Sequence, residues 1–199
     1  MTTDRSRRGR PKGDKRARTR AKLLEAARQL IREKGYERTT MEEVAQRAGM
    51  TSGAIYGNFR NRNELFIALG QTYWAAIAPD ISPSATFAEK MRAYADAAIA
   101  AIPERRAAAI GRLTGMAYAL AHEDLRCQVE ETTATSYAAG AAWLSAGGDE
   151  LPMHPKTLAA VIHALTEGLM FQRFLTPELI PDEVVRAAFQ ALSAIRPMH

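Results

Sequence analysis

Residues 19–62 hold three short amphipathic segments separated by helix stop and start signals. Gly35 is placed to end the first segment and Gly49 to end the second. Thr40 with Glu43 three residues later is typical of a capping box at the start of the second. In the first segment, apolar residues recur at the spacing of one helix face: Leu23, Leu24, Ala27, Leu30 and Ile31. This close succession of helices predicts a small three-helix unit.

The stretch "TSGAIYGNFRNR", residues 51–62, predicts the third helix of that unit. Thr51 is placed to cap a helix that runs to Asn58, with Ile55 and Phe59 four apart on its buried side. Asn61 then starts a longer fourth helix. Two short helices joined by a glycine-bearing turn predict a helix-turn-helix, with residues 51–58 as the recognition helix.

The recognition helix begins with small residues, which let backbone approach base edges and phosphates in a major groove. These residues are Thr51, Ser52, Gly53 and Ala54. Tyr56 lies outside the buried stripe, so we expect its hydroxyl to be free to reach a backbone phosphate. Asn58 and Arg62 flank it with further hydrogen-bond donors. Packing between helices is the alternative interpretation of Tyr56.

The charge of the chain is divided unevenly. The net charge is +5, yet residues 1–62 hold 17 Lys and Arg against 7 Asp and Glu, and residues 63–199 hold 10 against 15. A basic head on an acidic body indicates that the head meets a polyanion.

The segment from Thr19 to Leu65 resembles the TetR family of bacterial transcriptional regulators. The matching residues are "TRAKLLEAARQLIREKGYERTTMEEVAQRAGMTSGAIYGNFRNRNEL". The resemblance implies a homodimer that binds double-stranded DNA at an inverted-repeat operator, most often as a ligand-responsive repressor. It also implies DNA contacts from Thr40, Thr51, Ser52, Tyr56, Asn58 and Arg62. The chain departs from the family pattern at position 58, where His is frequent, and at Gly57, which offers no side chain to a base.

The basic arm, residues 1–18, lacks apolar periodicity and is expected to be disordered in isolation. It contains Arg8, Gly9, Arg10 and Pro11, a run similar to the core of an AT-hook. Such a run can enter a narrow A·T-rich minor groove. The alternative is an unstructured tail that adds only salt-sensitive, nonspecific affinity.

The body, residues 63–199, is expected to contain five helices after the connecting fourth one, which gives an all-α chain of about nine helices. Their approximate ranges are 84–101, 104–121, 124–146, 155–175 and 182–195. The last two carry apolar stripes that predict a dimer interface: Leu158, Ile162, Leu165, Leu169, Val185 and Phe189. Closure of the monomer core is the alternative interpretation of these stripes.

Aromatic and methionine side chains of the body predict a pocket for a small apolar or aromatic effector. They are Trp74, Phe87, Met91, Tyr94, Met116, Tyr118, Tyr137, Met170 and Phe171. Plain core packing is the competing interpretation of each. Effector binding would shift the population of two states and move the fourth helix.

Catalytic, cofactor and metal functions find little support in the sequence. The histidines are scattered, and the cluster His122-Glu123-Asp124 near Cys127 fits no zinc spacing. We therefore expect neither an enzyme nor a bound cofactor or metal. Cys127 is either a redox sensor or a small buried hydrophobe. No apolar run is long enough to span a membrane. A single cysteine cannot form an internal disulfide, which favours a reducing cytoplasm, and we expect the protein to associate with the nucleoid when it is bound to DNA.

Overall fold

The computed structural model describes residues 12–195, and the surroundings of side chains from residue 15 onward. Within this part of the chain all regular structure is helical, which confirms the all-α prediction. The helices are α1 Lys12–Lys34, α2 Met41–Arg47, α3 Ser52–Tyr56, α4 Arg62–Tyr73, α5 Phe87–Ala100, α6 Ile102–Ala121, α7 Glu123–Ser145, α8 Pro155–Leu175 and α9 Asp182–Ser193.

Helix α1 begins at Lys12, well before the expected start at Thr19. The prediction of disorder is therefore wrong for residues 12–18. Lys, Arg and Ala are good helix formers, so this stretch continues the helix without needing an apolar face. The Thr19 hydroxyl donates to the Lys15 carbonyl at 2.9 Å.

The head, formed by α1 to α3 and the first part of α4, has its own apolar core. Leu23, Ala27, Val44, Ile55 and Phe59 are all buried there. The predicted starts of the helices are confirmed, since Thr40 and Glu43 form a capping box and Thr51 and Asn61 each cap a helix. Gly35 and Gly49 adopt φ of 84° and 67°, which L side chains rarely adopt, so glycine suits both turns.

The body packs α5 against α9 and α7 against α8 around a second core. Leu158, Ile162, Val185 and Phe189 are buried in this core, and Leu165 and Leu169 pack against it. The four buried side chains close the core of one chain, which supports the alternative interpretation for them, whereas Leu165 and Leu169 are only partly buried. The dimer interface itself stays a prediction. Periodicity identifies an apolar face but cannot say which neighbour covers it.

A buried lysine ties α5 to the end of α7. Lys90 is fully buried, and its Nζ donates to the carbonyls of Trp143 at 2.9 Å and Leu144 at 3.3 Å. Burial lowers the pKa of this ammonium from its ordinary value. The carbonyls at the C-terminal end of a helix favour a cation, which accounts for the position of this charge.

Candidate nucleic-acid interface and buried cavity

The N-terminal end of α3 is exposed to solvent. Thr51, Ser52 and Gly53 are exposed, and Ala54 is half-buried. The Thr51 hydroxyl accepts a hydrogen bond from the Ala54 amide at 3.3 Å, which fixes the first turn. Ile55 on the opposite side is buried in the head core. The short helix is thus anchored to the head core through Ile55, and its small residues face solvent.

Tyr56 is 48% exposed, but its hydroxyl is not free. It donates to Oε1 of Glu42 on α2 at 2.8 Å. This hydrogen bond raises the pKa of Tyr56 and lowers the pKa of Glu42. The prediction of a free hydroxyl was wrong, because the spacing of residues within one helix cannot reveal a carboxylate on the neighbouring helix.

Asn58 is turned inward. Its Nδ2 donates to the Ala54 carbonyl at 2.8 Å, and its Oδ1 is buried without a hydrogen-bond partner among the described residues. The Asn58 carbonyl accepts from Arg20, whose guanidinium lies 4.3 Å from the ring centre of Phe59. As folded here, the Asn58 side chain braces the end of α3 and is not presented to a phosphate.

Arg62 lies at the junction between head and body. Its guanidinium donates to the Tyr36 carbonyl and lies 5.0 Å from the ring centres of both Phe66 and Tyr118. Its Nε is buried without an acceptor in the described part of the chain. The geometry contradicts the expectation of a DNA contact and makes Arg62 a brace between α4 and α6.

The remaining predicted contacts divide between the described and undescribed parts of the chain. Thr40 is exposed, but its hydroxyl donates to Glu43 at 3.0 Å within the capping box. Arg8, Gly9, Arg10 and Pro11 lie outside the described residues. Sequence reasoning missed Arg60, whose side chain is 91% exposed beside the end of α3. Arg60 lies between Phe59, predicted to be buried, and Asn61, predicted to cap α4. This position could have identified it as an exposed basic residue next to the recognition helix.

A cavity of about 380 Å³ lies between α1, α4, α6 and α7, where the head meets the body. Its lining includes Ile31, Phe66, Tyr73, Leu125 and Val129. Trp74 and Met116 are the members of the predicted effector set that line it.

The other predicted pocket residues pack elsewhere. Phe87, Met91, Tyr94 and Tyr137 belong to the body core or pack against it, Tyr118 packs against the head core, and Met170 and Phe171 pack around Trp74. Core packing is therefore the correct interpretation of these seven side chains. Residue type alone does not distinguish a cavity wall from a core.

Polar groups occupy one side of the cavity. Arg112 lines it, and its Nη2 donates to Glu167 at 3.3 Å. Glu167 also accepts from the indole N–H of Trp74. His163 lines the same side, and burial lowers its pKa, which leaves the imidazole neutral at pH 7.

Tyr36 joins this polar side from the loop between α1 and α2. Burial raises the pKa of its hydroxyl to about 12, although the charge of Arg112 acts in the opposite direction. The ring packs edge-on against Phe66 at 4.3 Å between centres and stacks on Tyr118 at 5.9 Å. A residue of the head thus forms part of the cavity wall.

Other chemistry finds no support in the geometry. Within residues 12–195, His, Cys, Asp and Glu form no group of three or more that could hold a metal ion. Cys127 is exposed, so the interpretation as a small buried hydrophobe is wrong. In the same part of the chain, no helix has the length and apolar character needed to cross a membrane.

Comparison with known proteins places the similarity in the head. Residues 23–69 match the family described as "Bacterial regulatory proteins, tetR family". The regulator TtgR of Pseudomonas putida is 47% identical over 51 residues, which are 26% of this chain and 24% of TtgR. The repressor AcnR of Corynebacterium efficiens is 36% identical over 70 residues, 35% of this chain and 37% of AcnR. The matched segments therefore span only a quarter to about a third of these relatives.

The fold likeness extends over most of the chain. The crystal structure of NalD, described as the secondary repressor of the MexAB-OprM multidrug efflux pump in Pseudomonas aeruginosa, superposes with a TM-score of 0.57. The superposition covers 89% of this chain and 94% of NalD at 23% identity. At that identity the likeness establishes the arrangement of the helices.

Proposed function

We propose that this chain, a member of the TetR family of bacterial regulatory proteins, is a homodimeric, sequence-specific DNA-binding regulator of transcription. The observation that carries the proposal is the family match over residues 23–69, combined with the exposed first turn of α3. Proteins of this family regulate transcription and are not enzymes. AcnR and NalD are both described as repressors, which supports repression as the outcome of DNA binding.

In this proposal α3 enters the major groove with its N-terminal end first. Thr51, Ser52 and Gly53 approach the base edges and the nearest phosphates, since small residues let the helix come close. Tyr56 can contact a phosphate if its hydroxyl leaves Glu42. If the hydroxyl stays on Glu42, the exposed ring can still pack on a sugar. Thr40 lies at the exposed start of α2.

Basic residues of α1 extend the proposed footprint along the phosphate backbone. Lys15, Arg16 and Lys22 are exposed on this helix. Residues 8–11 directly precede α1 in the sequence. In this proposal Arg8 and Arg10 enter an A·T-rich minor groove next to the major-groove contact.

The proposed dimer surface is the exposed face of the last two helices, because the predicted apolar stripe is buried in one chain. On α8 the exposed residues Val161, Ala164 and Gly168 follow helical spacing. On α9 the same spacing relates Val184, Ala187 and Ala191, which are also exposed. Small side chains on both helices allow the close approach that a four-helix interface needs. A two-fold dimer then presents two copies of α3 to an inverted repeat.

The cavity at the head–body junction is the proposed effector site. Its lining includes residues of α1 and Tyr36 from the head, residues of α4, which belongs to the head in its first part, and residues of α6 and α7 from the body. An effector that binds one arrangement of these helices more tightly than the other shifts the population between them. The spacing of the two heads changes with that population, and operator affinity follows. A cytoplasmic protein that associates with the nucleoid is consistent with this role.

Selection of bound duplexes from a random DNA library tests the function. Full-length protein at near-physiological salt is expected to enrich an inverted repeat, with A·T-rich flanks where the arm contributes. Enrichment without symmetry would contradict the dimeric arrangement. A folded, dimeric protein that enriches no motif would contradict sequence-specific binding.

A further inference from the structure

Three arginines line the cavity at the head–body junction. They are Arg28, Arg32 and Arg112, and among the described residues the lining contains no Asp or Glu. We infer that this cavity binds an amphipathic anion, with an apolar body against the aromatic wall and a carboxylate head group at Arg112 and Tyr36.

Arg112 has hydrogen-bonding capacity that the protein does not use. Within the described residues its ion pair is the 3.3 Å contact from Nη2 to Glu167, a carboxylate that also accepts from Trp74. Arg105 lies close enough for Glu167 to act on its pKa. The single negative charge of Glu167 is therefore shared between two arginines. Among residues 15–195, Arg112 Nη1 donates to no acceptor and Nε is buried without one.

The position of Arg112 makes that unused capacity available to a ligand. The side chain keeps 27% of its surface exposed and lines the cavity. A planar guanidinium binds carboxylates with paired hydrogen bonds, and such charge-assisted bonds are stronger than neutral ones.

Tyr36 supplies a second donor on the same side. Its hydroxyl forms no hydrogen bond with any residue that the structure describes, although most of the ring is buried. The charge of Arg112 acts on this hydroxyl, which places the two groups near each other. Both line the same cavity. An acceptor that binds there can therefore take hydrogen bonds from both the Tyr36 hydroxyl and the Arg112 guanidinium.

Of the other two arginines, one is already paired. Arg28 is satisfied by Glu25 through contacts of 2.8 Å and 2.7 Å. Arg32 is exposed on α1 and has no ion pair in the described part of the chain. The positive charge of Arg32 therefore favours an anion over a cation at the cavity.

Tyr36 would couple the anion to the head. Its hydroxyl faces the cavity side shared with Arg112, and its carbonyl accepts from Arg62 at the start of α4. A ligand that draws the hydroxyl toward Arg112 acts on the same residue that Arg62 holds. This consequence for DNA rests on the proposed function, whereas the binding of an anion does not.

The test compares 2-naphthoate with its neutral isostere 2-naphthamide on the full-length protein. Binding is measured by calorimetry in the absence of DNA. The acid is expected to bind at least about tenfold more tightly than the amide, since only the acid brings a negative charge and two equivalent acceptor oxygens to the guanidinium. Equal affinities, or no binding of either probe, would overturn the inference.

Variants locate the head group. Arg112→Met should abolish the preference for the acid and leave the affinity for the amide nearly unchanged. Tyr36→Phe, which removes one hydroxyl without altering charge, should reduce the preference by a smaller factor. Arg106→Met is the matched control, because Arg106 is exposed on the same helix and is not part of the lining. An undiminished preference in both the Arg112 and Tyr36 variants would overturn the assignment of the head group.

The two proposals fail separately. The ligand-free protein is also tested for binding to the duplex selected from the library. Acid preference without sequence-specific DNA binding would retain the ligand inference and contradict the regulatory function. Specific DNA binding without acid preference would retain the regulatory function and contradict the ligand inference.

Discussion

The hydroxyl of Tyr56 donates to Oε1 of Glu42 at 2.8 Å, so α3 and α2 share a hydrogen bond on the exposed surface of the head. An acidic side chain therefore stands beside the tyrosine that the sequence assigns to DNA binding. This bond lowers the pKa of Glu42 from its ordinary value, so the carboxylate is charged at neutral pH with or without it. Near a phosphate backbone that charge opposes binding, and it also selects the orientation of Tyr56.

Glu42→Gln should raise the affinity for DNA by up to about tenfold at low salt, because it removes a negative charge that faces the phosphates. The amide oxygen of Gln can still accept the hydrogen bond from Tyr56, so the geometry is kept. Fluorescence anisotropy with the selected duplex at several salt concentrations measures the effect.

Glu130→Gln is the control for Glu42, since Glu130 is exposed on α7 in the body. It should leave the affinity unchanged. Tyr56→Phe should weaken binding while leaving the fold and the dimer intact, because it removes the hydroxyl that would leave Glu42 to contact a phosphate. If Glu42→Gln bound DNA no better than the wild type, Glu42 would lie beyond the reach of the phosphates.

Arg62→Met should lower the free energy of unfolding by about 1–3 kcal/mol, because the guanidinium braces the Tyr36 carbonyl and two aromatic rings. The salt dependence of DNA binding should not change, since no phosphate contact is lost. Denaturant unfolding and salt titrations of binding measure the two quantities.

Arg60→Met provides the opposite case. Its side chain is almost fully exposed and lies 3.3 Å from Glu64, a weak surface pair. This variant should keep its stability and show a salt slope smaller by about one contact. A reduced salt slope in Arg62→Met instead would restore Arg62 to the list of DNA contacts.

Gly115→Ala should destabilise the protein by about 1–3 kcal/mol, since a Cβ at this position would lie 2.7 Å from the Tyr36 hydroxyl. Gly111→Ala, one turn earlier on α6, meets nothing within 4 Å and should stabilise by up to about 1 kcal/mol through helix propensity. Thermal unfolding of both variants gives the comparison. Adding Tyr36→Phe to Gly115→Ala should recover part of the loss, and a loss independent of Tyr36 would contradict the clash.

The local signals of this sequence were sufficient for the helices of the head. Thr40, Thr51 and Asn61 accept the predicted capping hydrogen bonds, and Gly35 ends α1 where the pattern ended. Such signals act within a few residues, so they can be identified in a single sequence. The extension of α1 to Lys12 was missed because a helix without an apolar face leaves no periodic signal.

Contacts between segments far apart in the chain determine the surroundings of most site residues. Local residue patterns in the sequence do not reveal such contacts. Tyr56 meets Glu42 fourteen positions away, and Arg62 meets Tyr118 on another helix. The aromatic residues of the body were assigned to a pocket by type, whereas burial is set by which helices pack together. Phe87 and Met91 therefore lie in a core, and Tyr36, absent from the prediction, lines the cavity.

Glu25 should make the head sensitive to acid. Hydrogen bonds from Arg28, and less strongly from Tyr73 and Gln29, lower the pKa of Glu25 from 4.5 to about 2. On acidification the unfolded chain binds the proton first, so this contribution is present above pH 4.5 and is lost as the pH falls toward 2. The carboxylate is partly exposed, which limits the effect to at most about 1 kcal/mol.

Glu25→Gln should therefore lower stability at pH 7 and flatten its dependence on pH between 4.5 and 2. Urea unfolding across this pH range measures both. Glu37→Gln, at an exposed position of the same head, serves as the control. An equal pH dependence in Glu25→Gln and the wild type would show that the Arg28 contact does not persist in solution.

Ala164→Glu should dissociate the dimer, because the proposed two-fold interface brings this exposed position of α8 into contact with the partner subunit. Each dimer then buries two added carboxylates, and unpaired buried charge is strongly unfavourable. The dissociation constant of the dimer should rise by at least about tenfold, with helical content unchanged. Sedimentation equilibrium measures the first quantity and circular dichroism the second.

Ala117→Glu, exposed on α6 and outside the cavity lining, should leave the dimer intact. If the dimer instead survived Ala164→Glu and dissociated in Ala117→Glu, the interface would lie on α6, where Ile110, Leu113 and Leu120 form the other exposed apolar stripe.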